Sequence, residues 1–198
     1  MSSIVILGSA NMDLVVRQPR LPHPGETMFG SSFDTVPGGK GLNQAVAAAR
    51  AGGDVAFLGA IGRDRFGDAL RDSLRNAGID VHGLADVRAP TGTAHISVLD
   101  GGENAIVVVP GANAAITELD EYGRTCIEQA THLMAQFERP IELIREAFVV
   151  AHKRGVTTVL TPAPVTEVDD ELMKLVDLLI PNAQEACELV GVTDETEA

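Results

Sequence analysis

The sequence predicts an α/β domain with a mostly parallel, doubly wound sheet, and two patterns carry this prediction. Residues 3–7 form a short apolar run rich in β-branched side chains that ends at Gly8. Such a run is typical of a strand buried on both faces of a parallel sheet. Phe66, Leu70 and Leu74 recur every fourth residue and predict an amphipathic helix. The two kinds of segment alternate along most of the chain, as they do in doubly wound domains.

The elements follow in order along the chain. A glycine-rich turn at 38–41 leads into an alanine-rich helix that reaches about residue 51, and the apolar run 55–61 predicts a second buried strand. The helix that carries Phe66 is stopped by Gly78, a residue that suits a left-handed helix end. Further along, the patterns predict helices over 118–130, 140–154, 169–174 and 183–190, and strands over 131–137, 156–161 and 175–180.

Two segments break this alternation because apolar and polar residues alternate singly in them. The first joins 13–17 to 27–36 through a proline-rich turn, and the second joins 93–99 to 104–109 through a glycine-bearing loop typical of a β-hairpin. We expect a small separate antiparallel sheet, with strands within about 13–36 and 92–110. Such a sheet would act as a lid, because ligands of open α/β sheets bind outside the carboxyl ends of the strands. The alternative is a pair of hairpins that extend the main sheet.

Size and composition limit the possible classes of protein. The 198 residues are 45% hydrophobic, which suits one globular domain with a sizeable core. The net charge of −13 argues against nucleic acid or an anionic membrane as partner, because both select clustered Lys and Arg. The sequence has no long apolar run or signal-peptide pattern, so we expect a cytoplasmic protein. Cys126 and Cys187 fall in helical patterns and fit buried thiols of a reducing compartment.

The turn from Gly38 into the alanine-rich helix is the first candidate for a ligand site. We expect free N–H groups at the helix start to act as donors, with the Lys40 and Asn43 side chains beside them. A P-loop is excluded because Asp34 stands where that motif needs glycine, and a dinucleotide fingerprint is excluded by Gln44. An ordinary strand-to-helix loop with a solvated lysine fits the same residues.

Polar residues also follow several predicted strands. Asn11 and Asp13 follow the first strand and should point to the same side, because side chains alternate along an extended chain. Glu138 follows the strand 131–137. An amide and carboxylates in one pocket suit a polyhydroxylated ligand, although each residue also fits a turn or a helix start. Asn182 and Glu185 have the spacing of a capping box, which competes with a phosphate or magnesium role.

Taken as a set, several motifs resemble the ribokinases of the PfkB carbohydrate kinase family. They are Asn11-Met12-Asp13, Pro24-Gly25-Glu26-Thr27, Gly38-Gly39-Lys40-Gly41-Leu42-Asn43-Gln44-Ala45, Thr91-Gly92, Gly111-Ala112-Asn113, Gln136-Phe137-Glu138, Pro162-Ala163-Pro164 and Pro181-Asn182-Ala183-Gln184-Glu185. The resemblance implies a Rossmann-like (ribokinase-like) α/β domain whose β lid also serves as a homodimer clasp. It further implies Mg²⁺-dependent transfer of the ATP γ-phosphoryl group to the primary 5-hydroxyl of D-ribose, with K⁺ as a monovalent cation.

The resemblance also implies roles for individual residues. The implied sugar-binding residues are Asn11, Met12, Asp13, Gly39, Lys40, Gly41, Leu42, Asn43 and Glu138, with Ala94 and Ile96 of the lid as an apolar wall. Asn182 and Glu185 match the element near the phosphates, where Glu185 would serve Mg²⁺ indirectly. Thr161 stands where ribokinases commonly have Asn, so a phosphate contact from that position does not carry over.

The end of the chain departs from the family pattern. Family kinases continue beyond this length and include a Gly-Ala-Gly-Asp loop that supplies the general base, and nothing in the sequence matches that loop. The nucleotide pocket and the monovalent-cation site belong to the same later part. We therefore expect an incomplete domain over 1–198 that carries the sugar site and lacks kinase activity by itself.

Alternatives to the kinase interpretation remain. One is a catalytically silent sugar-binding or dimerising module that uses the same pocket and lid. Another is an unrelated α/β protein in which the glycine turn and the Asn182 motif are only structural. Within the family, adenosine, fructose or a keto-deoxy sugar acid compete with ribose as substrate. The sequence favours an unphosphorylated pentose because it shows no Arg or Lys cluster for a second phosphate.

Overall fold

The computed structural model describes residues 2–167 and 169–192. Ten strands lie in this part of the chain: β1 (Ile4–Leu7), β2 (Asn11–Gln18), β3 (Ser32–Gly38), β4 (Val55–Gly62), β5 (Leu84–Val87), β6 (Gly92–Leu99), β7 (Asn104–Val109), β8 (His132–Gln136), β9 (Thr157–Thr161) and β10 (Leu178–Leu179). The helices are α1 (Lys40–Arg50), α2 (Arg65–Asn76), α3 (Glu121–Glu128), α4 (Ile141–Arg154), α5 (Asp170–Met173) and α6 (Ala183–Val190), and a 3₁₀ turn covers Gly111–Ala114.

The main sheet has six strands in the order β10-β9-β8-β1-β4-β5, and each neighbouring pair is parallel. Helices α1 and α2 cover one face, while α3 and α4 cover the other. The predicted doubly wound α/β fold is therefore confirmed. The chain leaves β1 toward β4 on one side and returns to β8 on the other, so a crevice opens at the carboxyl ends of β1 and β8.

The alternation of apolar side chains in β1 joins two separate cores. Val5 and Leu7 pack with Phe148 of α4, whereas Ile6 packs with Phe57 and Leu42 on the α1 side. All six side chains are almost completely buried. Burying a side chain of this size stabilises the fold by about 1.5–3 kcal/mol, so the two cores hold the carboxyl end of β1 firmly in place.

The second sheet is separate from the first and has the order β3-β2-β6-β7. The pairs β2–β3 and β6–β7 are antiparallel, but β2 and β6 run parallel. We expected a purely antiparallel sheet, and this expectation is wrong for the pair β2–β6. Both strands begin at the carboxyl edge of the main sheet and run away from it, which gives them the same direction.

Several predicted boundaries change in the structure. Strand β3 begins at Ser32, so 27–31 is a loop, and the strand expected over 175–180 is reduced to β10. The short edge strand β5 has no counterpart in the prediction, because its four residues include Asp86 and show no clear alternation. Helix α3 begins at Glu121 behind its cap Asp120, later than expected.

The positions of the two cysteines and the character of the helices can be compared with what the sequence predicts. Both cysteines lie in helices and are free thiols; Cys187 is buried and Cys126 is half-buried. Within residues 2–167 and 169–192, no helix combines the length and apolar character needed to cross a membrane.

Candidate functional site

The glycine turn before α1 is shaped by close packing against β1. Gly39 has φ of 94°, a conformation that favours glycine, and a Cβ there would lie 2.8 Å from the Asn11 nitrogen. A Cβ on Gly41 would lie 2.5 Å from the Gly8 Cα. The Leu42 N–H donates to the Ser9 carbonyl at 2.9 Å, which fastens the helix to the end of β1. The start of α1 is therefore pressed directly onto the carboxyl edge of the sheet.

Glu138 caps this helix start from the neighbouring strand end. Its Oε2 accepts a hydrogen bond from the Lys40 backbone N–H at 3.1 Å and another from the Ser9 hydroxyl. The Gly41 N–H donates to the Ser9 hydroxyl oxygen at 3.3 Å. The expectation of free N–H donors in this turn is therefore wrong for Lys40, Gly41 and Leu42. The Glu138 carboxylate therefore lies at the start of α1 and not at the start of α4, the helix that follows it in the chain. The positive end of the α1 dipole stabilises a carboxylate in this position.

Asn11 and Asp13 lie on one face of β2, as the alternation predicts. Gly38 is paired with Asn11, and a Cβ on Gly38 would collide with the Asp13 carboxylate. A Cβ on Gly92, the partner of Asn11 on the other side, would collide with the Asn11 amide oxygen. The two glycines thus leave room for both polar side chains. Burial, and then the nearby Glu138 carboxylate, raise the pKa of Asp13 above its ordinary value.

Asn113 holds Asn11 from the 3₁₀ turn that follows β7. Its Nδ2 donates to Asn11 Oδ1 at 2.8 Å and to the Ala10 carbonyl at 3.1 Å, while its Oδ1 accepts from the Ala10 N–H at 3.0 Å. Asn113 is 1% exposed. The turn after the second sheet is therefore bonded to the junction between β1 and β2.

A cavity of about 370 Å³ lies beside these groups. Asn11, Asn113 and Glu138 supply polar atoms to its wall, and apolar residues such as Val108 and Phe137 supply much of the rest. A mostly apolar concave site with a few converging polar groups is the usual form of a small-molecule site. Its volume is within the usual range of small-molecule pockets.

The other residues expected to bind the sugar differ from one another in how far they are buried. Ala94 is buried and pairs with Asp13, and Ile96, half-buried, follows two residues on along the same face of β6. The Asn43 side chain is exposed on the first turn of α1. Met12 and Leu42, by contrast, are buried in the core on the α1 side. Neither residue lines the cavity beside Glu138.

Asn182 and Glu185 form a complete capping box at the start of α6. Asn182 Oδ1 accepts from the Glu185 N–H at 2.8 Å, and Glu185 Oε2 accepts from the Asn182 N–H at 2.9 Å. Neither residue lines the cavity beside Glu138. Among the described residues, no three His, Cys, Asp or Glu side chains are grouped to hold a metal ion. Glu185, whose Oε2 accepts the Asn182 N–H, does not make a Mg²⁺ site by itself.

Three residues near the site were given no role of their own in the sequence analysis. Ser9 and Asn113 act through partners far away in the chain, which no local pattern reveals. Arg139 was missed because a charged residue after a strand normally faces water. It is only 5% exposed, and its Nε and Nη1 have no hydrogen-bond partner in the described part of the chain. Burial lowers the pKa of Arg139 to about 10, so the guanidinium stays charged at neutral pH.

Comparison with known proteins shows the family to which the chain belongs. The model of the family described as pfkB family carbohydrate kinase matches residues 1–198. The chain belongs to this family of carbohydrate kinases.

Within the family, the chain is similar to ribokinases. A ribokinase of Haemophilus influenzae is 40% identical over 192 residues, which are 96% of this chain and 63% of that protein. A ribokinase of Bacillus subtilis is 41% identical over 190 residues, covering 94% of this chain and 64% of that protein. The structure of Arabidopsis thaliana ribokinase complexed with ribose and ATP has a TM-score of 0.89 and 30% identity, covering 96% of this chain and 63% of that one. The chain thus spans a little under two thirds of these relatives.

Proposed function

We propose that this chain carries the sugar site of an ATP-dependent kinase that phosphorylates D-ribose at its 5-hydroxyl. The observation that carries the proposal is the meeting of Asn11, Asp13, Lys40 and Glu138 at the carboxyl edge of the sheet. There Glu138 accepts the Lys40 N–H, and its carboxylate adds to the rise that burial causes in the pKa of Asp13. The names of the relatives, and the ribose and ATP in the Arabidopsis complex, support the same substrate class.

The chemistry of the site suits a polyol. Each sugar hydroxyl both donates and accepts a hydrogen bond, so it is best held between a donor and an acceptor. Glu138 uses Oε2 for Ser9 and Lys40, and its Oε1 has no hydrogen-bond partner in the described residues. We assign Glu138 Oε1 and the Asp13 carboxylate as acceptors, and the Lys40 and Asn43 side chains as donors. Ala94 and Ile96 provide the apolar wall.

The transfer step depends on groups beyond the sugar site. Phosphoryl transfer is mainly a matter of positioning and electrostatic stabilisation of the transferred oxygens. We place Asn182 and Glu185 on the phosphate side, with an indirect role for Glu185 toward Mg²⁺, and we assign no residue to the monovalent cation. Turnover by the 198-residue chain alone is not expected.

A sugar-binding module that dimerises through the second sheet is the second candidate. Ile106, Val107, Val108 and Val109 form an edge strand with exposed apolar side chains on both faces, and Val107 is 66% exposed. An apolar edge of this kind favours pairing with another sheet. We infer a homodimer that uses the second sheet as both lid and contact surface.

Titration calorimetry with D-ribose tests the proposed site. We expect binding by the wild type, and a loss of about tenfold or more for Glu138→Gln, since a hydrogen bond to a charged group contributes about 1.5–3 kcal/mol. Glu142→Gln, an exposed carboxylate on the first turn of α4, is the matched control and should leave binding unchanged. Asn43→Ala should weaken binding as well. Equal affinity of all three variants for ribose would contradict the proposal.

Adding the remaining part of a relative separates the kinase from the silent module. The segment of Bacillus subtilis ribokinase beyond the matched region can be mixed with this chain, and ribose-dependent ATP consumption followed. Restored turnover supports the kinase. Ribose binding with no turnover in the mixture, although the two pieces associate, favours the binding module.

A further inference from the structure

The backbone of Ala10 fixes the orientation of the Asn113 amide. An N–H can only donate and a carbonyl can only accept. The Ala10 N–H therefore requires the Asn113 oxygen, at 3.0 Å, and the Ala10 carbonyl requires the Asn113 nitrogen, at 3.1 Å. With the amide reversed, both contacts would be repulsive. The usual ambiguity between the two ends of an asparagine amide is thus removed by two main-chain groups.

This orientation determines which end of Asn11 is free. The second hydrogen of Asn113 Nδ2 points to Asn11, and only the Asn11 oxygen can accept it, at 2.8 Å. The Asn11 oxygen is consequently turned toward Asn113 and accepts from it, while the Asn11 amino group has no hydrogen-bond partner in the described residues. Both side chains are almost completely buried and line the cavity beside Glu138.

We propose that Asn113 is a positioning residue that sets the hydrogen-bond polarity of the site, so that Asn11 offers a donor and Glu138 offers an acceptor to the ligand. The ligand class that fits is a neutral polyol, with one hydroxyl accepting from Asn11 and another donating to Glu138. An ammonium group opposite Asn11 is rejected because it has no lone pair. The identity of the sugar rests on the proposed function, whereas the polarity rests on the bonds of Ala10 alone.

The polarity also links the ligand to the second sheet. Asn113 lies in the 3₁₀ turn that directly follows β7, and Asn11 begins β2 of the same sheet. One side chain therefore connects the last strand of the second sheet to the first polar group of the cavity. A displacement of β7 would move the group that holds Asn11.

The isosteric variant Asn113→Asp tests the polarity without any ligand. One carboxylate oxygen can still accept the Ala10 N–H, but the other now faces the Ala10 carbonyl and the Asn11 oxygen. Asn11 should turn so that its amino group donates to the new carboxylate. By NMR of the ligand-free chain, we expect the Asn11 side-chain NH₂ to exchange with water rapidly in the wild type and at least tenfold more slowly in Asn113→Asp. An unchanged exchange rate would overturn the proposal.

Ribose affinity provides the second measurement. We expect Asn113→Asp to weaken ribose binding about tenfold in the wild-type background and hardly at all in an Asn11→Ala background, because it acts through Asn11. The control is Thr158→Val, which removes a buried hydroxyl bonded to Leu175 and Asp177. It should lower the melting temperature and leave affinity unchanged. An equal loss from Asn113→Asp in both backgrounds would show a merely structural role and overturn the proposal.

Two further outcomes keep the test decisive. If Asn113→Asp does not fold, Asn11→Asp reverses the same polarity from the other side, because Asn113 can still donate to the new carboxylate. Asn11→Asp should weaken ribose binding about tenfold while the Asn113 side-chain resonances stay in place. Undiminished ribose affinity would overturn the proposal. If the wild type binds no ribose, the proposed function fails, and the exchange rates of Asn11 still decide the polarity.

Discussion

Ser9→Ala is the substitution whose effect can be worked out most directly from the structure. Ser9 is fully buried, and its hydroxyl donates to the Glu138 carboxylate while it accepts the Gly41 N–H at 3.3 Å. Alanine keeps the Cβ and removes both bonds. Water cannot easily replace the hydroxyl, because the site is closed between β1 and the start of α1.

The expected cost follows from these two bonds. A hydrogen bond to a charged group contributes about 1.5–3 kcal/mol, and a neutral one about 0.5–1.5 kcal/mol. The bond from Gly41 is long and belongs at the low end, so we expect the free energy of unfolding to fall by about 2–4 kcal/mol. For a chain of this size each kcal/mol lowers the melting temperature by about 2–4 °C. The melting temperature should therefore fall by about 4–16 °C.

Thermal and urea unfolding followed by circular dichroism measure this change. Ser73→Ala is the matched control, because Ser73 lies on α2 and its hydroxyl makes no hydrogen bond in the described part of the chain. In a Glu138→Gln background the cost of Ser9→Ala should shrink, since the charge-assisted bond is already weakened. A melting temperature no lower than that of Ser73→Ala would refute the reasoning.

Three further substitutions probe other parts of the site. The pKa of Asp13 is raised above its ordinary value of 3.8 by burial and by Glu138. Between that ordinary value and the raised pKa, the folded state binds more protons than the unfolded chain, so stability falls as pH rises through this interval. Asp13→Asn should remove that decrease in urea midpoints measured across the interval; an unchanged slope would contradict it. Arg139→Met should raise the free energy of unfolding by about 1–3 kcal/mol, because a buried unpaired charge is replaced by an apolar chain; destabilisation would reveal a partner for the guanidinium. Asn182→Ala should cost about 0.5–2 kcal/mol through the lost helix cap and leave ribose affinity unchanged in calorimetry; weaker ribose binding would place the cap in the sugar site.

The sequence predicted those features that depend on local periodicity. The buried strand before Gly8, the helix containing Leu70 and the common side of Asn11 and Asp13 all follow from spacing along the chain. Strand β5 was missed because it owes its place to pairing with β4 rather than to its own four residues. The parallel pairing of β2 and β6 was missed for a similar reason, since each segment looks like half of a separate hairpin.

The candidate site was predictable as a set of residues but not as a set of bonds. Glu138 was expected either to bind a ligand or to favour its own helix, and the structure shows it at the start of α1, which lies 98 positions earlier in the chain. Asn113 appeared only as part of a motif, because its partner Asn11 is 102 positions away. Long-range hydrogen bonds of this kind leave no local signal, since each partner looks like an ordinary turn residue.

The bonds that orient the site groups end mainly on backbone atoms. Glu138 is held by the Lys40 N–H, and Asn113 by both main-chain groups of Ala10, while Ser9 joins Glu138 to the Gly41 N–H. Backbone groups inside packed elements lose little further freedom when a ligand binds, so a site oriented by them is largely preorganised. Substituting an orienting residue should then weaken ligand binding about as much as substituting the contact residue that it holds. The reason is that the contact group is no longer held in the orientation that the ligand needs.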